Sequence, residues 1–458
     1  MIKPSLRHIL LLSGTLFLGM HNLSATPAIA QTSDTFTKTN KSDASASSSN
    51  NNNNTTPNNS KTKVNTNDKD AINASPSQAT PPDLSKSSNP PSSQKNITQI
   101  QTIPGMPPVT DSNNIFSEAS KPEHIAEAVK HDLSRIYVPN LRSDSVSVID
   151  PKTKKVVDTF KVGRSPQHIV PSWDLRTLWV TNNSEGHPDG SLTPIDPTTG
   201  KAGKSIAVDD PYNMYFTPDG RYAVVVAEAL RRLDFRDPHS MKLEFSISTP
   251  QCAGVNHADW SEDGRYAIFT CEFHGYLTKV DMVNHKVAGY LKLSKGGMPQ
   301  DIRISPQGHK FYVADMLADG VFIIDGDKFK EIGFIPTGVG AHGMYLSRDT
   351  KYLYVANRGT HRVHGKPGSK KGNVSVVDLA SEKVVKTWLI PGGGSPDMGN
   401  VSADGKTLWL SGRFDDVAYA FDTENGDVAK VTVGMEPHGL TVWPQPGRYS
   451  IGHTGLLR

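Results

Sequence analysis

From about residue 134 to the C-terminus the chain repeats one unit, and that repetition limits the possible folds more than any other feature. The copy "DPYNMYFTPDGRYAVVVAE", beginning at Asp210, shows the pattern. An alternating strand runs into a tight Asp-Gly turn, and a second strand rich in Val and Ala follows. A third strand ending in Asp and a fourth rich in Lys and Val complete the unit. Other copies begin "SPQHIVPSWDLRTLWVTNN", "AGVNHADWSEDGRYAIFTCE", "GMPQDIRISPQGHKFYVADM", "GAHGMYLSRDTKYLYVANR" and "GSPDMGNVSADGKTLWLSGR". Successive copies lie about 41 to 45 residues apart, with one stretched to about 55.

Four short strands per unit describe a propeller blade. The first copy, "RIYVPNLRSDSVSVIDPKTKKVVDTFKV", lacks its first strand, and the last, "EPHGLTVWPQPGRYSIGHTG", supplies little besides that strand. Joining the two closes a ring and removes the open sheet edge. The expectation is an all-β, seven-bladed propeller over 134–458, with the C-terminal strand completing the N-terminal blade.

Strands such as "LYVAN" and "LWVTN" resemble the YVTN family of β-propeller repeat proteins, and the longer stretches "DPYNMYFTPDGRYAVVVAEALRRLDFRDPHSM" and "VWPQPGRYSIGHTG" resemble an exported bacterial subgroup of it. The resemblance implies the propeller. It does not imply one activity, because relatives include the haem domain of cytochrome nitrite reductases, quinoprotein amine dehydrogenase heavy chains and sugar lactonases.

Ahead of the repeats, Lys3, Arg7 and His8 precede the apolar run "ILLLSGTLFLGM", and Ala28 and Ala30 present small residues to a signal peptidase. Residues 1–30 read as a signal peptide cleaved near Ala30, with export to the periplasm or the outside. The run is too short for a permanent bilayer anchor. Residues 31–114, with "SASSSNNNNNTTPNNS", read as a disordered Asn/Ser/Thr/Pro spacer. Residues 115–133 form a short connecting segment in which "EHIAEAVKHDL" suits a short helix. The formal charge of +3 falls to about +1 without Lys3 and Arg7, which gives no reason to expect nucleic acid as a partner. Cys252 and Cys271 are the only cysteines, bonded or free, and the absence of Cys-x-x-Cys-His excludes covalent c-type haem. A monomer is expected.

Candidate site residues come from aligning the blades. In a propeller the first strand of each blade lines the channel. One column there reads Gln167, Tyr212, Asn256, Gln300, His342, Asp397 and His438, and all seven are polar. The next column contains His168, Asn213, His257 and Asp301, which strand alternation should turn to another side except near the mouth. A hydrated channel accounts for such a ring. So does a ligand or haem-like cofactor site, or a transition metal held by His342, Asp397 and His438, with His168 and His257 as further ligands. At the ends of second strands, Glu228 and Glu272 face Arg358 and Arg413 across the mouth, an arrangement suited to a polar or zwitterionic ligand.

The stretched copy inserts "GTHRVHGKPGSKKGN", which brings His361, Arg362, His364, Lys366, Lys370 and Lys371 toward the same face and favours a small anion or an acidic partner surface. No nucleophile elbow, phosphate loop or zinc-protease helix is present. The leading expectation is therefore an exported, non-catalytic propeller that binds a protein partner or a small anionic ligand at its mouth. The alternative is a redox protein holding a metal or haem-like cofactor in the same ring.

Overall fold

The computed structural model describes residues 100–458 apart from 188, 361, 362, 365–367 and 369. The expected signal peptide, the spacer up to residue 99, and His361, Arg362 and Lys366 lie outside the described residues. Among the described residues, no helix is long and apolar enough to cross a membrane.

Seven antiparallel sheets form the ring, each ordered from an innermost first strand outward. Blade 4 is typical: Val255–Trp260, Tyr266–Cys271, Tyr276–Asp281 and Lys286–Lys292 follow one another in sequence and in space. Its inner three strands carry alternating apolar side chains that pack against the neighbouring blades, and Trp260 and Phe269 are fully buried there. The outermost strand begins and ends on exposed lysines, Lys286 and Lys292, with half-buried Val287, Tyr290 and Leu291 between them, as an edge facing water should. In blade 2 the fourth strand is broken into Lys201–Ala202 and Ile206–Ala207, both paired with Ser191–Asp196.

Closure follows the sequence expectation. Thr441–Trp443 pairs with Arg135–Asn140, so the last strand becomes the innermost strand of blade 1. The signature asparagines sit where second strands end. Asn140, Asn182 and Asn357 are buried, and their side-chain amides donate to Ser145 and Ser147, to Thr193, and to Asn373 and Ser375 of the adjoining third strand. The Asn of "VTN" and "VAN" is thus a blade clamp.

Each first strand carries a β-bulge close to its start. In blade 4, Val255 pairs with Cys271 and Ala258 with Phe269, which leaves Asn256 and His257 out of register. Blades 5, 6 and 7 shift at Gln300–Asp301, His342–Gly343 and Asp397–Met398. A bulge re-aims side chains and frees a backbone N–H. Hydroxyls on the second strand accept that N–H: Thr181 from His168 at 3.1 Å, Thr270 from His257 at 3.0 Å and Ser411 from Met398 at 3.3 Å. The bulge overrides strict alternation, so two consecutive residues per blade reach the channel.

Cys252 and Cys271 form a disulfide beside the mouth in blade 4. Residues 100–114, assigned to the spacer by composition, lie along the turn-bearing face. Ile103 N–H donates to Asp263 O at 3.3 Å, and Ile115 N–H to Pro306 O at 2.8 Å. The apolar Ile103 and Ile115 supply burial that the Asn-rich stretch lacks. Within 115–133 the helical content is Ser117–Ser120 and a single 3-10 turn, Glu127–Val129, because the segment is held by contacts with the propeller rather than by its own periodicity.

Beyond the closing strand, residues 444–458 turn back under the ring. Ser450 Oγ donates to Pro171 O at 2.9 Å and His453 N–H to Met214 O at 3.1 Å. Gly452, at φ +101°, has room for no side chain, because a Cβ there would lie 2.5 Å from Met214 O. This tail seals the lower end of the channel.

Candidate functional site

At the mouth the two aligned columns stack. The upper ring stands one residue beyond each second strand and includes Asn183, Glu228, Glu272, Met316, Arg358 and Arg413. The lower ring presents Gln167, Tyr212, Gln300 and His342. Between them lies a cavity of about 180 Å³, which Glu185, Phe273 and Met298 complete.

The acidic and basic walls differ in how their charge is met. Arg413 Nε donates to Glu436 at 3.2 Å, and Arg358 Nη2 donates to Asp397 Oδ1 at 2.5 Å and to His342 Nε2 at 2.6 Å. On the acidic wall, Glu272 accepts from Asn256 at 2.8 Å. The Glu228 carboxylate has no hydrogen bond or ion pair among the described residues. Burial, then the neighbouring Glu272 charge, raises Glu228 well above the usual carboxylate range, and burial raises Glu272 as well. The cavity therefore holds a protonatable carboxyl pair on one wall and two neutralised arginines on the other.

Of the expected triad, His342, Asp397 and His438 do come together, and only His342 lines the cavity. Asp397, below the arginines, takes His342 Nδ1 at 2.8 Å on Oδ1 and His438 Nδ1 at 2.7 Å on Oδ2. Burial alone would raise Asp397, but Arg358, His342 and His438 outweigh it and hold the carboxyl well below its ordinary value. Burial, with Arg358, lowers His342 to about 4. The rings are neutral, Asp397 is ionised, and Arg358 supplies the counter-charge, so the trio already balances without a cation.

Deeper in the axis, imidazoles fill the channel. His168 packs with ring centroids 4.7 Å from His438, 5.2 Å from His257 and 5.5 Å from His453. His453, from the returning tail, was not among the aligned columns. All these rings are buried, and burial holds each well below the ordinary imidazole pKa. Gly439 makes this packing possible, since a Cβ there would lie 2.0 Å from His168 Nδ1.

Among the described residues, the one set of metal-ligating atoms within 4.8 Å of one another is His257, Asp301 and His453. Asn213 decides its chemistry. Its Oδ1 accepts Met214 N–H at 2.8 Å, which leaves Nδ2 to donate to Nδ1 of His257 at 3.1 Å and of His453 at 3.0 Å. A neutral ring accepting at Nδ1 carries its proton on Nε2. His453 Nε2 lies 3.2 Å from Asp301 Oδ1, which Arg303 also holds at 2.5 Å, whereas His257 Nε2 is buried without a hydrogen-bond partner. A metal here would have to displace both protons.

Carrying the second-strand column through all seven blades would have found Asn183 and Met316. Nothing in the repeat pattern marks His453, which follows the last strand. The described basic residues of the insertion do not line the cavity: His364 Nε2 lies 3.1 Å from Asp319 Oδ1 and Lys371 donates to Gly392 O at 2.5 Å.

Comparison with known proteins agrees with this architecture. A family model described as YNCE-like beta-propeller matches residues 123–446. Antigen Lp49 of Leptospira interrogans is 34% identical over 110 residues, covering 23% of this chain and 24% of that protein, so the chain matches about a quarter of its length. Kuenenia stuttgartiensis hydrazine synthase superposes with a TM-score of 0.53 at 20% identity, over 65% of this chain and 95% of that one. The dihydro-heme d1 dehydrogenase NirN in complex with DHE gives 0.52 at 15%, over 70% and 77%. At such identities the structures share a fold, and their differing roles assign no activity.

Proposed function

The chain belongs to the YNCE-like β-propeller family, and from that footing we propose that it is a non-catalytic binding protein whose mouth cavity takes a small zwitterion. The observation that carries this reading is the unpartnered Glu228 beside Glu272, set across a cavity of about 180 Å³ from Arg358 and Arg413. A ligand ammonium group would supply the charge that Glu228 and Glu272 lack, and its carboxylate would accept from the arginine wall. A purely anionic ligand fits less well than the sequence suggested, because Asp397 and Glu436 already meet the arginine charge. The Cys252–Cys271 bridge supports an exported setting, since structural disulfides persist in oxidising compartments.

Thermal-shift measurements with matched series of amines, carboxylates and ω-amino acids test the reading. Stabilisation should be greatest for compounds bearing both charges. Stabilisation by ω-amino acids that is unchanged in Glu228→Gln would refute it.

A further inference from the structure

The turn-bearing face holds a second cavity, of about 60 Å³, away from the mouth. Its polar wall is formed by Arg303, Arg348 and Thr454, and its apolar wall by Phe116, Tyr345 and Leu456. Arg348 directs its N–H groups to Ser402 O at 3.0 Å, Ala119 O at 2.6 Å, Val401 O at 2.9 Å and the side-chain oxygen of Gln445. All four acceptors are neutral, and no carboxylate lies within ion-pair distance of Arg348 among the described residues. Burial lowers this guanidinium to about 10, a sign that its charge is poorly met.

Two further groups converge on the space. Arg303 is buried, pairs with Asp301 through Nη1, and lies 5.3 Å from the Tyr345 ring centroid. Thr454 is buried, and its Oγ1 has no hydrogen-bond partner. Its backbone is held at φ +43°, next to His453 at φ +39°, a conformation disfavoured for residues with side chains. A buried hydroxyl without a partner costs stability unless something binds it.

We propose that this cavity is a second ligand site, selective for a short-chain carboxylate. The carboxylate lies between Arg348, Arg303 and Thr454 Oγ1, and the hydrocarbon lies against Phe116, Tyr345 and Leu456. At 10–15 Å³ for each water-sized group, the cavity admits about four to six non-hydrogen atoms, the range from acetate to butyrate. Inorganic phosphate matches the charge but leaves the apolar wall unused.

Calorimetric titration of the full chain with butyrate, and separately with inorganic phosphate, tests the site. The expected result is one butyrate per chain, bound more tightly than phosphate. Affinity should fall about tenfold or more in Arg348→Gln and about threefold to tenfold in Thr454→Val, as expected for lost charged hydrogen bonds. Glu228→Gln should leave butyrate binding unchanged, which separates this site from the mouth. The proposal is overturned if butyrate gives no heat at about 10 mM, if phosphate is preferred, or if Thr454→Val binds like the wild type. Because Thr454→Val conserves volume, it keeps the test valid if Arg348→Gln fails to fold.

Discussion

Asp397 Oδ2 accepts a 2.7 Å hydrogen bond from His438 Nδ1, between blade 7 and the stretch that closes the ring. His438 belongs to the C-terminal stretch that completes blade 1, and Asp397 to the first strand of blade 7. The contact thus ties the closing stretch to blade 7 inside the channel. It also anchors the floor beneath the mouth, because the same carboxylate positions Arg358.

Replacing Asp397 with Asn should be strongly destabilising. It removes the buried partner of Arg358 while leaving that charge in place, a change that typically costs about 3–5 kcal/mol. Urea unfolding should show the loss. A cost below about 1 kcal/mol, the scale of an exposed pair, would mean that the cluster does not hold the channel floor.

The buried imidazoles set one side of the pH dependence. Their folded pKa values are depressed below the unfolded value, His342 to about 4, so their contribution is fully present above about pH 6.5 and fades as pH falls. Raised carboxyls such as Asp210, at about 6, act in the opposite sense, so one ring must be isolated by mutation. His257→Gln should cost stability at pH 7.5. That cost should shrink by up to about 1.4 kcal/mol between pH 6.5 and 5.5. A cost independent of pH would show that folding does not shift the His257 pKa.

Glu228 has the reverse sign. A carboxyl whose folded pKa lies above its unfolded one loses stability as pH rises through that interval, so Glu228→Gln should stabilise the free protein at pH 8 and change little at pH 4. Melting temperatures of the two proteins across this range make the comparison. A variant less stable than the wild type at pH 8 would show that Glu228 has a compensating partner.

The disulfide spans a sequence separation of 19 residues, and a loop of that size is constrained by about 3 kcal/mol in the unfolded chain. Cys252→Ala with Cys271→Ala should lose about that much in urea unfolding. No loss would place the stability of blade 4 elsewhere.

Blade number and closure were legible because both follow from counting strands in a repeating pattern. The polar column at the mouth was legible for the same reason, and Glu228, Glu272, Arg358, Arg413 and His342 line one cavity. Two things were not. Strict alternation separates Gln300 from Asp301, whereas the bulge sends both inward, and a bulge leaves no residue signature in a single chain. His453 lies past the last strand, in a tail whose path depends on a left-handed glycine and on contacts with blade 3. Spacing in the sequence also shows ligand types such as His342, Asp397 and His438 but not Arg358 resting on the carboxylate.

The mouth is tested most directly by calorimetric titration of the wild type and Glu228→Gln with γ-aminobutyrate at pH 7.5. The expected result is saturable binding to the wild type, weakened about tenfold or more in the variant, whose lost charged contact is worth that factor. Heat equal in the two proteins, or none from the wild type at about 10 mM, would contradict a zwitterion site built on Glu228.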